Sequence, residues 1–210
     1  MSNLTRQNVF MIKKIMWCVW AVGLCPFGLW AQKNAPALEK DGIVIYTEPS
    51  DFGLDLVRAE MEVNAPVERL LEVVTDHDRF KDWSYNCLES RRLEAVSANE
   101  FYLWTRTNVP WPVSDRDDVT RQKIARLPGG VIRVELEDFP EKIPPVKGVV
   151  RIPYLRGHWV FTPIDGHRTH VEYFIHADPG GNIPSWLANL SVTEAPFETL
   201  KAFRKVAEKK

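Results

Sequence analysis

Cysteine is scarce in this chain. There are three, and two of them, Cys18 and Cys25, fall in an apolar leader, so Cys87 alone remains beyond it and an internal disulfide framework is excluded. An excess of positive charge is missing too. With 27 Lys and Arg against 28 Asp and Glu, the formal net charge is −1, and nothing advertises the basic stripe that nucleic-acid binding needs. No HExxH, CxxC or calcium loop is present. The acidic and imidazole candidates (Asp76-His77-Asp78; Asp115, Asp117 and Asp118; His158, His170 and His176) therefore carry no ligand spacing, and neither metal nor cofactor is expected.

Covalent catalysis finds no support either. There is no GxSxG elbow, and Cys87 has no identifiable partner in sequence, so it reads as a small buried hydrophobe. Asp178-Pro179-Gly180-Gly181 lacks the Lys-Ser/Thr of a phosphate loop and reads as a tight turn into the last helix. General acid–base catalysis leaves no spacing signature and stays open.

What is present starts with the leader. Arg6, Lys13 and Lys14 precede an uncharged run over 15–31, which ends in a small residue before Gln32. Positive flank, apolar run and small residue describe an export signal over residues 1–31. Pro26 and two glycines inside the run argue against a retained anchor. Its loss takes the formal charge from −1 to −4 and leaves a single-domain length, in a periplasmic or secreted setting. A polar leader, 32–40, then precedes the domain, 41–210.

Within that domain GIVIYTEP reads as a short β-branched strand, and 56–66 alternates Val57, Ala59, Met61 and Val63 against polar neighbours, a half-buried strand. Pro66 opens a helix in which Val67, Leu70, Leu71 and Val74 share a face. Strands are expected over 87–97, 100–108, 117–126, 130–138, 146–153, 157–163 and 169–178, with Gly129-Gly130 and Asp165-Gly166 as turns. The stretch 183–210 turns helical again, with a kink at Pro196. A long antiparallel meander needs its apolar face covered, and the terminal helix is the large element available.

PWPVSDRD sits at mid-chain. Pro110 and Pro112 cannot donate ladder hydrogen bonds, so the preceding strand stops there. Arg116, flanked by Asp115 and Asp117, is expected to form the ion pair that fixes the corner into the next strand.

DGIVIY, Trp83 of FKDW, PWPVSDRDDV, VKGVVRIPYLRGHWVFTP and VEYFIHADPGGNIPSWLANL, in that order and spacing, resemble the START domains, the StAR-related lipid-transfer domains of the helix-grip (Bet v 1-like) superfamily. The resemblance implies an α+β fold, a curved antiparallel sheet wrapped around a long C-terminal helix and enclosing a hydrophobic cavity. It implies a partner, a lipid or sterol-like ligand, bound without being transformed, and transient membrane contact. Arg116, Asp117 and Arg151 match structural positions of the family. Leu103, Thr105, Gln122, Trp159, Phe161, Tyr173, Trp186, Leu187 and Leu190 are the implied cavity candidates, the last helix serving as lid. Some sterol-binding members carry an acidic–basic pair where Thr105 and Gln122 stand, and both are neutral here. An aromatase/cyclase-like enzyme on the same scaffold is the alternative, with Asp118, Tyr173 or His176 as acid or base.

Overall fold

The computed structural model describes residues 35–184, 187–188 and 190–209. The expected export signal lies outside them. Ten strands form one sheet: β1 (Leu38–Lys40), β2 (Ile43–Glu48), β3 (Leu56–Val63), β4 (Cys87–Ser97), β5 (Glu100–Thr107), β6 (Arg116–Arg126), β7 (Ile132–Asp138), β8 (Val150–Arg151), β9 (Tyr154–Pro163) and β10 (Thr169–Asp178). Their spatial order is β1-β2-β3-β10-β9-β7-β6-β5-β4, all antiparallel, with the two-residue β8 added parallel to β6. The expected polar leader differs from expectation at its end, where Leu38–Lys40 pairs with β2 as an edge strand.

Helix α1 (Val67–Thr75) buries Val67, Leu70, Val73 and Val74, as their three- and four-residue spacing requires. Pro66 stands one step before the helix, its carbonyl receiving the N–H groups of Arg69 and Leu70. The C-terminal segment enters through a π turn over Leu190–Glu194 and continues as α2 (Ala195–Ala207). Pro196, at the start of α2, has no N–H to offer the carbonyl four residues earlier, so regular helix cannot run backward through it.

α2 turns Phe197, Leu200, Phe203 and Ala207 inward. Phe203 lies at the centre of an aromatic cluster, with Trp83 at 5.3 Å, Trp159 at 5.0 Å and Phe161 stacked at 6.1 Å between ring centroids. This packed region joins β2, β3, α1 and α2 into the core. It fills one part of the space between the sheet and the C-terminal segment and leaves the other part open.

Candidate functional site

The open part is a cavity of about 280 Å³. Strand alternation decides which side chains reach it. On β5 Leu103, Thr105 and Thr107 point inward, and on β6 Arg116, Asp118, Thr120 and Gln122 do. Leu155 and Trp159 come from β9, and Tyr173, Ile175 and Ala177 from β10. Leu187, Ser191, Val192 and Thr199 close the space from the C-terminal segment. The lining is mostly apolar, with a few polar groups set on the two strands β5 and β6.

Of the residues expected to line a cavity, Leu103, Thr105, Gln122, Trp159, Tyr173 and Leu187 are brought together here. Phe161 is not. It shares a face with Trp159 but lies two residues further along β9, under α2, where it is 0% exposed and belongs to the core. Leu190 begins the π turn, half-buried, away from the lining. Trp186 lies outside the described residues.

The corner at Arg116 also departs from expectation. Neighbours on a strand point to opposite faces, so Arg116 cannot pair with the carboxylates beside it. Its guanidinium donates instead to three main-chain carbonyls, those of Ser114 (2.6 Å), Pro179 (3.3 Å) and Gly180 (3.2 Å). Gly180 itself holds a φ of 69°, a conformation glycine adopts without strain, so the turn after β10 aims its carbonyls at the arginine. Asp115 is held by Arg106, at 3.0 and 2.7 Å. Asp117, on the convex face, takes Arg151 and the Trp104 indole N–H. Burial opposes its charge, but the Arg151 and Trp104 hydrogen bonds outweigh that and hold the carboxyl below its usual range.

Asp118 faces the other way, into the cavity, where the Thr105 hydroxyl donates to its Oδ2. Burial pushes this carboxyl up to about 6, against the opposing effect of the Thr105 hydrogen bond. The same burial, with Asp118 nearby, pushes the Tyr173 phenol well above its usual range. Cys87 is raised to about 11, first by burial and then by Asp118, and so stays an unreactive thiol. A register with Thr105 and Gln122 inward already places Asp118 and Thr120 on the same face, by period two. That was the signal for an acidic group in the pocket, and the neutral pair alone hid it.

At the far end of the β6 row Gln122 is fixed from behind. The buried His77 ring bonds its Oε1 at 2.8 Å through Nε2, while Arg92 Nε donates to Nδ1 at 3.0 Å. Because an arginine N–H can only donate, Nδ1 must be the bare nitrogen and Nε2 must carry the proton. Desolvation lowers the His77 pKa, which keeps that neutral tautomer. Gln122 therefore offers its amide N–H groups to the cavity. His77, grouped by sequence with possible metal ligands, is instead a positioning residue, and among the described residues no cluster of three metal-ligating side chains forms. His176 bonds Ser50 Oγ at 2.8 Å on the face opposite Ile175 and Ala177, away from the cavity.

A large antiparallel sheet with a C-terminal helix recurs among solved structures. A STAR-related lipid transfer protein from Xanthomonas axonopodis superposes with a TM-score of 0.77 at 36% identity, over 83% of this chain and 98% of that one. An uncharacterized protein of Pseudomonas aeruginosa is 32% identical, over 83% of this chain and 86% of its own length. The phosphatidylcholine transfer protein of Mus musculus is 27% identical, over 81% and 82% of the two chains. The START domain family model matches residues 27–210, so its span takes in the whole sheet, the cavity and the closing helix, and the chain belongs to the START domain family.

Proposed function

We propose that the protein binds one lipid or other hydrophobic small molecule in the cavity and carries or sequesters it through an aqueous compartment, without transforming it. The observation that carries this reading is the mostly apolar space of about 280 Å³ between β5, β6, β9, β10 and the C-terminal segment. Apolar area removed from water contributes about 25 cal/mol per Å², so a hydrocarbon chain is held there by transfer alone, while Thr105, Asp118, Tyr173 and Gln122 set orientation. Similarity to lipid transfer proteins supports the same reading. The apolar leader supports export to the periplasm or beyond. Trp111, 91% exposed two residues from the cavity-lining Val109, supports brief membrane contact during loading.

Native mass spectrometry of the protein purified after expression of the full chain, followed by solvent extraction, tests the proposal. A discrete co-purifying lipid is the expected result. A ligand-free mass that persists after incubation with mixed membranes would sink it. The second reading, an aromatase/cyclase-like enzyme, rests on Asp118 and Tyr173 sharing the cavity, since a carboxyl with a pKa of about 6 suits proton transfer. Chemical change in the extracted ligand on re-incubation would favour it.

A further inference from the structure

Among the described residues, the charged side chains lining the cavity are Asp55, Asp118 and Arg116. Asp118 gives one carboxylate oxygen, Oδ2, to the Thr105 hydroxyl. Its Oδ1 receives no hydrogen bond among the described residues, and the side chain lines the open space. The Tyr173 phenol lines the same space, close enough for the Asp118 charge to work against its ionisation. Arg116 is the one cation lining the cavity among the described residues, and each of its three guanidinium nitrogens donates one hydrogen bond to a main-chain carbonyl.

Arg116 is tied to main-chain carbonyls and Arg151 to Asp117, so Asp118 is a carboxylate in a mostly apolar lining with no ion pair of its own, which is costly, and a tunnel for hydrocarbon alone has no use for it. With its pKa at about 6, Asp118 is largely ionised at neutral pH. Asp118 is half-buried, and an acceptor left open to the cavity is one a ligand donor can satisfy. We propose that Asp118 selects the headgroup: the cavity takes a single-chain lipid whose polar end carries hydroxyl or ammonium hydrogens and rejects one ending in carboxylate or phosphate. This rests on the cavity being a lipid site. A donor on Oδ1 makes a charge-assisted hydrogen bond, whereas an anion there meets a second negative charge in a medium that screens poorly. The volume, about 280 Å³, falls just below the roughly 300–1,000 Å³ of ligand sites and suits one chain better than two.

Three probes of equal chain length separate the possibilities: hexadecylamine, hexadecanol and palmitate. Each is titrated at neutral pH into protein purified after expression of the full chain, with tryptophan fluorescence as readout, since Trp159 lines the cavity. The amine, the alcohol or both bind, and palmitate binds at least about ten-fold more weakly, as loss of one hydrogen bond to a charged group implies. In Asp118→Asn that preference shrinks to a few-fold or less, while Leu103→Ala weakens all three probes alike. Which donor binds, amine or alcohol, names the headgroup. Palmitate binding as tightly as the other two, or a preference that survives Asp118→Asn, overturns the proposal and leaves the cavity reading standing. If no probe binds the unaltered protein, both fall.

Discussion

Arg151 holds Asp117 by two parallel hydrogen bonds, Nε to Oδ1 at 2.9 Å and Nη2 to Oδ2 at 2.8 Å, with the aspartate side chain 0% exposed. The same guanidinium donates to the carbonyls of Pro140, Ile143 and Pro144, so one side chain ties β6 and β8 to the segment after β7. Removing one partner leaves the other buried and uncompensated. Arg151→Ala is expected to cost about 3–5 kcal/mol, as for other broken buried pairs. Urea denaturation measures it, and a loss below about 1 kcal/mol, the range of an exposed pair, would refute the role.

The same pair predicts an acid limb of stability. The folded-state pKa of Asp117 is depressed, so its contribution is present above the ordinary carboxylate range and is lost as pH falls through the folded value. Melting temperature followed from neutral to acid pH should fall less steeply in Asp117→Asn, which starts lower but has no such proton to take up. Parallel curves for the two proteins would contradict this.

Much of this architecture is legible in the sequence, and the residues where it is not share a cause. β4 and β10 fall on their expected ends because polar turns bound them. β8 shrinks from the expected 146–153 to two residues, since Val149 turns back to bond the Val146 carbonyl and Pro153 ends the pairing. The faces of β5 could not be read from Tyr102-Leu103-Trp104, because both sides are covered: Leu103 by the cavity, Trp104 by Arg91 and by its bond to Asp117. Alternation gives a face and not a position along it, which is why Trp159 meets the cavity while Phe161 meets α2. The Arg92–His77–Gln122 chain spans residues 15 and 45 apart, contacts that only the folded register creates.

Asp118 predicts a stability effect of opposite sign to that of Asp117. Its folded pKa is raised from 3.8 to about 6, so the contribution is present at low pH and is lost as pH rises through that window. A shift of about two units corresponds to roughly 3 kcal/mol at most. Asp118→Asn should therefore melt higher than the unaltered protein at neutral pH and near it at about pH 4. A residue kept at a cost to stability points to use. Equal melting at both pH values would mean that the carboxyl is better solvated than the cavity geometry implies.

Phe203 packs against Trp83, Trp159 and Phe161 and is 0% exposed. Phe203→Ala opens a hole beside rings that cannot collapse into it, at about 3–5 kcal/mol. Because Trp159 borders both this cluster and the cavity, the hole should also loosen the C-terminal segment, raising hydrogen exchange over Leu190–Glu194 before the sheet is affected. Exchange that rises uniformly across the chain would show that core and C-terminal segment open as one unit.

Trp111 stands apart from these, almost wholly in solvent between Pro110 and Pro112, with no packing to lose. An exposed indole contributes little to folding, so Trp111→Ala should leave stability within about 0.5 kcal/mol. At a membrane surface the same ring buries its apolar body and keeps its N–H wet. Co-sedimentation with phosphatidylcholine vesicles should therefore drop several-fold in Trp111→Ala, and ligand delivery to vesicles should slow with it, while the cavity's affinity for a soluble short-chain probe stays the same. Unchanged co-sedimentation would refute membrane contact through Trp111, leaving the half-exposed Phe52, two residues from the cavity-lining Leu54, as the next residue to test.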